Sequence, residues 1–558
     1  MRPTPQTSDS ELADDACVVG ETQLKMTSNT TGATAESAAE TVAAVCEGRE
    51  LVVVSNREPY SHRREDGDVV VDRPAGGLTA ALDPVMQAVE GTWVAWGDGD
   101  ADREAVDSDG TVTVPPEDPS YDLRRVWLED SQVEGYYAGY SNQVLWPICH
   151  LDTAKMRPKE SFWRAYRETN ADFADAILDA TGSDRRGTAA DGRGPADRRD
   201  TDDRNGTTDG PVIWFQDYHL ALAPRRVREE RPEAFLAHFW HIPWPSWDAF
   251  HACPQYESLL DGLLANDLLG FHTDGYCRNF LDSVEAATDA RVDRASRSVE
   301  YRGNRTFVRV LPLGIDAARQ AELADSEAAD DFWEAFCVEY DIDPDTRFAL
   351  GVERLDYTKG IEQRLDALER FWADNPERRG TFTYVQKSIE SRSDIPEYQA
   401  LQKRVADAIE RVNDRFGTDH WTPVVSLTEH LPKPGLAALY READLALVTP
   451  VRDGMNLVAK EYVAAQTRDP GVLVLSELVG AADQLGDESV LVHPHDTAGT
   501  ADAIAEALSL SATERHRRMT DLQRAVHAED VYAWLESTFE TAAAIERGQS
   551  VTRAGPER

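Results

Sequence analysis

An α/β protein of two doubly wound, Rossmann-like domains, with its working site in the cleft between them, is what this sequence predicts. Three observations carry it. Short apolar runs alternate with helix-length segments, and polar residues gather where the runs stop. The same alternation begins again near Gly314. Residues 445–466 then place an apolar run, a glycine-bearing turn and a helix start in direct succession.

Residues 1–48 are rich in Thr, Ser, Ala and Glu and read as a disordered tail. The first domain spans 49–313. It opens with Leu51-Val52-Val53-Val54, a run fit for a buried parallel strand, which leaves Arg57 at the strand's carboxyl end. Pro74-Ala75-Gly76-Gly77 leads into a helical segment reaching Val89, and the glycine pair lets backbone approach a ligand closely. Residues 93–96 read as the next strand. The aromatic stretch YYAGYSNQVLWP, 136–147, reads either as the edge of a core helix or as a sugar platform built on Tyr137 and Trp146. A helix follows over 160–178. Residues 182–210, full of Asp, Arg, Gly and Thr, read as a mobile surface insertion. The strand from Val212 leaves Asp217 and His219 just past its end, and the strand 235–240 does the same for His241. Residues 268–271 and 308–313 continue the pattern.

The second domain, 314–530, repeats it. A strand over 348–352 ends at Glu353-Arg354, and Thr358-Lys359-Gly360 precedes a long helix, so Arg354 and Lys359 add two cations near a helix start. A strand over 382–386 is followed by Ser391-Arg392-Ser393, and further strands read at 424–427, 472–476 and 490–492. Between them the run 445–448 stops at Thr449-Pro450, and the turn Arg452-Asp453-Gly454 leads through Met455 into Asn456-Leu457-Val458-Ala459-Lys460-Glu461, which reads as the first turns of a helix. Free N–H groups and the positive helix end make that turn a seat for a diphosphate, and Glu461, further in, could take two hydroxyls of a sugar ring. On these residues alone an ordinary crossover with a solvated Asp-Gly turn fits as well. Helical segments at 501–508 and 511–526 follow. A last one, 531–546, is expected to pack back on the first domain, with 547–558 a tail.

The formal net charge is −43, from 101 acidic and 58 basic residues. Such a chain repels nucleic acid and anionic membranes. With 41% hydrophobic residues and 13 Trp it is not a disordered acidic chain. A folded core with a surface adapted to molar salt is expected. Six cysteines without CxxC spacing suggest neither a disulfide framework nor a zinc site, and fit a reducing cytoplasm. No run approaches the roughly 18 apolar residues that span a bilayer.

Eight stretches, in order, resemble the trehalose-6-phosphate synthases, retaining glycosyltransferases of the two-Rossmann-domain (GT-B) type. They are VVVSNR (52–57), AGGL (75–78), YYAGYSNQVLWP (136–147), DYHL (217–220), HIPWP (241–245), LLGFHT (268–273), VERLDYTKG (352–360) and VTPVRDGMNLVAKEYVAAQ (448–466). The resemblance implies transfer of glucose, with retention, from a nucleotide-glucose to glucose-6-phosphate. It implies that Arg354 and Lys359 grip the donor diphosphate, with the turn from Gly454 through Met455 and Asn456 to the amides of Leu457 and Val458. Glu461 would hold the ribose, Gly76 and Gly77 would close over the diphosphate, Leu431 would meet the base, and Asp453 and His241 would bind the donor glucose. Arg57, Tyr137 and Arg392 would bind the acceptor phosphate, with Trp146 on that sugar and Asp217 near its reacting hydroxyl. On this view the leaving phosphate oxygen helps deprotonate the acceptor, so no protein nucleophile, cofactor or tightly bound metal is implied. Partners would be the small-molecule substrates, a possible second copy of the chain, and a separate phosphatase, since no DxDx[TV] region follows. Gln216 and Glu390-Ser391 depart from the family's pattern. The competing expectations are a sister synthase using glycerol-3-phosphate, a catalytically silent sugar sensor, and a glycosidase.

Overall fold

The protein's first strand, Leu51–Ser55, lies in the middle of a ten-stranded sheet and pairs in parallel with Thr92–Trp96 on one side and Val212–Gln216 on the other. The computed structural model describes residues 34–65, 67–73, 77–182, 210–340, 342–343, 346–392 and 394–548. From the first strand the sheet grows outward through Thr92–Trp96, Tyr121–Val126 and Thr111–Val114. In the other direction it grows through Val212–Gln216, Phe235–Trp240, Leu268–Phe271 and Asn304–Val310, then Ser298–Tyr301 and Arg291–Asp293. Its central strands are all but free of solvent, as strands covered by helices on both faces must be.

The second sheet has six strands, all parallel: Val424–Leu427, Phe382–Ile389, Arg347–Arg354, Leu445–Val448, Val472–Ser476 and Val490–Val492. Numbered within the domain, that spatial order is 3-2-1-4-5-6, the Rossmann order, with its switch point between Arg347–Arg354 and Leu445–Val448. The first sheet reverses direction between Leu51–Ser55 and Val212–Gln216. Crevices open at the carboxyl ends of strands where the winding reverses, so each domain contributes one.

Two connections cross between the domains, through Gly314 and through Asp530. Val531 N–H donates to the Ile315 carbonyl at 3.1 Å, and the Tyr532 hydroxyl to Asp316 at 2.7 Å. A Cβ on Gly314 would lie 2.3 Å from the Glu529 carbonyl oxygen, so only glycine fits that crossing. The helix Val531–Glu546 then buries Trp534 and Phe539 against Trp214 on the first sheet, with ring centroids 5.1 and 5.3 Å from it.

Several elements differ from the sequence reading. Residues 35–45, expected in a disordered tail, form the helix Ala35–Val45, whose Ala38 and Val42 share a core with the C-terminal helix. Ala38, Val42 and Cys46 on one face are enough to seat it, which is why its low large-apolar content misled. Arg49 joins the same seam by pairing with Glu546 at 2.7 Å. The strands read at 348–352 and 382–386 run on to Arg354 and Ile389, and the one read at 308–313 is Asn304–Val310. The hairpin Ser61–Glu65 with Asp68–Asp72 was not anticipated. Residues 1–33, most of the expected insertion (183–209), residues 549–558 and Gly76 lie outside the described residues. The five described cysteines are buried and unpaired, and no described helix is long and apolar enough to cross a membrane.

Candidate active site

On the first domain's side, Arg57 stands exposed beyond the first strand and Asp217 ends the neighbouring strand, one on each flank of the switch point. Asp217 adopts a left-handed backbone, φ 69°, uncommon for a residue with a side chain. Its N–H donates to the Phe239 carbonyl at 2.7 Å, and its carboxylate accepts the His241 N–H at 3.2 Å. Such strain persists only where surrounding structure holds it, and it concentrates at functional sites. Burial raises the Asp217 carboxyl to about 7; the N–H groups of Tyr218 and His241 and the guanidiniums of Arg392 and Arg354 offset only part of this.

The aromatic stretch resolves as wide π-helical turns, Glu134–Leu145, running into the short helix Trp146–Cys149. Such turns are rare and recur at functional sites. Tyr136 turns inward and donates to Asn56 at 2.8 Å, while Tyr137 stacks on His219 with centroids 5.9 Å apart and touches Trp96 at the same distance. Tyr136 is thus core, as is Trp146, 4% exposed, while Tyr137 is only partly buried at the edge of the same cluster. Burial works to raise the Tyr137 phenol, yet Arg392, Arg57 and Arg354 outweigh it and hold it below its ordinary value. Three guanidiniums thus converge on one hydroxyl.

Arg392 comes from the second domain. Its guanidinium lies 4.2 Å from the Trp146 ring centroid and donates to Asp356 at 3.0 Å and to the Tyr398 hydroxyl at 2.5 Å. Its Nε, although buried, has no acceptor among the described residues. Arg354, expected on the donor diphosphate, lies 5.8 Å from the same Trp146 ring, so it stands between the two halves of the cleft. Neither Arg57 nor Arg354 has an ion pair among the described residues. In a chain of net charge −43, two unpaired guanidiniums beside a third form a local reversal of sign suited to a phosphate.

The second domain's switch point carries the other group. Lys359 donates to Asp453 at 2.5 Å, and Asn456 and the Gly454 N–H donate to the same carboxylate at 3.0 and 2.9 Å. Burial works to raise Asp453, but Lys359 and Asn456 prevail and keep it ionised below its usual range. Asn456, at φ 75°, caps the helix Leu457–Ala465 through the Ala459 N–H, and this leaves the amides of Leu457 and Val458 without intrahelical acceptors. Glu461 accepts from the Tyr440 hydroxyl at 2.9 Å, and burial raises its carboxyl despite that bond. Met455 is buried beneath the turn, and Leu431 packs on the same core. Gly77 begins the helix Gly77–Val89, and nothing in the described residues places it against the diphosphate seat.

His241 joins the halves. Its Nε2 meets the Gln216 amide oxygen at 2.9 Å, and burial together with His272 and His238 holds the ring neutral, so Nε2 carries the proton given to Gln216. Gln216, read from sequence only as a departure, is thus what orients His241; inward alternation along Val212–Gln216 was the available signal. The His241 carbonyl abuts Gly454, where a Cβ would lie 2.1 Å from that oxygen. The Tyr276 hydroxyl adds a second link, to the Asp453 carbonyl at 3.0 Å. Also missed was Arg364, 1% exposed, which ties the Lys359 carbonyl, Glu353 and Thr449 into one frame. Its place inside a helix hid it. Gly454→Ala is expected to hold the domains apart and lower kcat/KM about a hundredfold, with the melting temperature near that of the native chain. Kinetics beside a melting curve check it, and unchanged kinetics would show that the approach is dispensable.

A family model described as glycosyltransferase family 20 matches residues 49–185 and 204–544. The chain is 35% identical over 525 residues to a trehalose-6-phosphate synthase of Mycolicibacterium smegmatis, covering 92% of this chain and 96% of that one. It is also 35% identical over 495 residues to a bifunctional trehalose-6-phosphate synthase/phosphatase of Thermoproteus tenax, covering 87% of this chain but only 62% of that longer protein. Among solved structures, one from E. coli bound with UDP-2-fluoro glucose aligns with a TM-score of 0.75 at 30% identity, over 88% of this chain and 99% of that one. A UDP-forming alpha,alpha-trehalose-phosphate synthase from Burkholderia xenovorans in complex with glucose-6-phosphate aligns with a TM-score of 0.74 at 27% identity, over 88% and 99%.

Proposed function

The chain belongs to glycosyltransferase family 20, and from that premise we propose that it transfers glucose from a nucleotide-glucose to glucose-6-phosphate, with retention, giving trehalose-6-phosphate. The observation that carries the acceptor's identity is the convergence of Arg57, Arg354 and Arg392 on Tyr137 beside Trp146. The sugar would lie against Tyr137 while its phosphate meets the guanidiniums, and Trp146, 4% exposed, backs Arg392 from beneath instead of meeting the sugar as the sequence suggested. Glycerol-3-phosphate has no ring to lay against Tyr137, and the relatives' names point to trehalose phosphate.

The donor's diphosphate takes the helix start at Leu457-Val458, with Lys359 and Arg354 in reach, and Glu461 takes the ribose. Asp453, kept ionised by Lys359, accepts hydroxyls of the transferred glucose, and His241 bonds the same ring from the opposite domain. As the bond from the anomeric carbon to the diphosphate breaks, negative charge grows on the departing oxygen, where Lys359, Arg354 and the helix end stabilise it. The acceptor hydroxyl attacks from that same face, its proton passes to the departing oxygen, and the configuration is kept. No side chain needs to act as nucleophile, and the cations at the diphosphate seat supply the charge a resident metal would otherwise bring. Among the described residues, the carboxylates close enough together to hold a cation are Glu58, Asp98 and Asp102, on the acceptor side.

Incubating the protein in molar KCl, the condition its acidic surface suits, with UDP- or GDP-glucose and with glucose-6-phosphate or glycerol-3-phosphate tests the reading. A phosphorylated disaccharide from the hexose phosphate is expected, and product from glycerol-3-phosphate alone would overturn the acceptor. Asp217 adds a pH signature. Its carboxylate form accepts the acceptor's hydroxyl, so kcat/KM for glucose-6-phosphate should rise through pH about 7. Asp217→Asn should lose that inflection and keep only the substrate phosphate's own titration near about 6. An inflection that survives in Asp217→Asn would remove Asp217 from this role. The stability contribution has the opposite sense: a raised carboxyl favours the protonated fold, an advantage complete below 3.8 and lost as pH climbs to about 7.

A further inference from the structure

Lys387 lies near the carboxyl end of the strand Phe382–Ile389, 3% exposed, and its ammonium has no hydrogen-bond partner among the described residues. Strand alternation fixes its direction. Gln386, one residue earlier, joins Glu353, Tyr384 and Arg364 on the side of the helix Ile361–Asp374. Lys387 therefore points to the opposite face with Val385, toward the core bordered by the partly buried Val352, Leu431, Leu457 and Val458. The sheet register sets it beside Val352 on one flank and Leu427 on the other.

The diphosphate seat follows the strand Leu445–Val448, which pairs with Arg347–Arg354, which pairs in turn with the Lys387 strand. The Lys387 strand is thus two strand spacings, about 10 Å, from the strand that leads into that seat, a lateral offset on the scale of the reach from a diphosphate across a ribose to its base. Glu429 is the carboxylate that acts on Lys387, yet its oxygens accept from the Thr428 N–H at 3.1 Å and the Tyr340 hydroxyl at 3.4 Å. An ammonium buried without an acceptor is costly unless a ligand completes it.

We propose that Lys387 reads the donor's nucleobase by donating to an exocyclic carbonyl oxygen. The oxygen meant is that on C4 of uracil or C6 of guanine, so Lys387 admits those two bases and disfavours cytosine and adenine, which present an amino group at the same positions. The flexible four-carbon stem and three donors let the ammonium turn to meet that oxygen. The inference rests on the nucleotide-sugar reading of the cleft and adds the base to it.

Calorimetric titration of the full chain with UDP, GDP, ADP and CDP tests it, with Lys387→Met measured alongside. The native chain is expected to hold UDP or GDP at least about tenfold more tightly than ADP and CDP. Lys387→Met should lose about that factor for UDP and GDP, keep its weak hold on ADP, and melt at a similar temperature. A native chain that binds ADP or CDP as tightly as UDP and GDP overturns the proposal, as does a Lys387→Met chain with the preference intact. Should the variant not fold, the native ranking alone decides. Binding of none of the four would overturn the nucleotide-sugar reading itself, and this inference with it.

Discussion

Replacing Arg354 with alanine is expected to lower kcat/KM about a thousandfold while leaving the melting temperature nearly unchanged. The guanidinium has no ion pair among the described residues and rests 5.8 Å from the Trp146 ring at the meeting of the two half-sites. Each charge-assisted hydrogen bond it makes to a phosphate is worth about 1.5–3 kcal/mol, so two give about 3–6 kcal/mol, or roughly 10²–10⁴ in rate. Asp356 and Asp217 feel its charge, but the ion-pair partner of Asp356 is Arg392, so folding loses less here than when Arg392 is removed. Steady-state kinetics alongside thermal melting check both halves of the expectation. A fall of several degrees with intact kinetics would make Arg354 a structural residue instead.

Arg392→Ala should differ in kind, losing both activity and stability. Arg392 is the buried counter-ion of Asp356, itself 0% exposed, and the two share the Tyr398 hydroxyl. Burial works to raise the Asp356 carboxyl, but Arg392 and then Arg354 hold it below its ordinary 3.8. Removing the guanidinium strands a buried carboxylate, at about 3–5 kcal/mol. It also takes away the innermost cation of the acceptor nest, so acceptor binding should fall by at least about a hundredfold. The pH sense follows from a depressed carboxyl, whose contribution is present above the unfolded value and lost as pH falls through the folded one. The stability gap between native chain and variant should therefore be widest near neutrality and narrow below about pH 4. Urea titrations at the two pH values measure it, and a gap that stays constant would contradict the Arg392–Asp356 account.

The comparison of these two arginines shows what a sequence can and cannot disclose. Both were legible as cations near strand ends, because strand boundaries follow from apolar runs and the doubly wound pattern fixes which end faces the cleft. The central strands and the helix Leu457–Ala465 were legible for the same local reason, whereas Asn456, read as part of the helix's first turn, is its left-handed cap. What stayed hidden were partnerships across long sequence separations. Nothing local distinguishes Arg392, bound to a residue 36 positions away, from Arg354, which has no such partner. The link from Gln216 to His241, the π-turns that send Tyr136 and Tyr137 to opposite sides, and the Arg364 frame under Lys359 are likewise tertiary facts. The helix Ala35–Val45 was missed because its burial depends on a helix near the opposite end of the chain.

The proposed reaction is same-face transfer onto a hexose whose phosphate lies among Arg57, Arg354 and Arg392. Proton NMR of the product formed from UDP- or GDP-α-glucose and glucose-6-phosphate tests it most directly. The account predicts a disaccharide still bearing its 6-phosphate, with both anomeric protons showing the small coupling of the α configuration. A β-linked glucosyl unit would contradict same-face transfer, and a product lacking the phosphate would contradict the acceptor assigned to the three arginines.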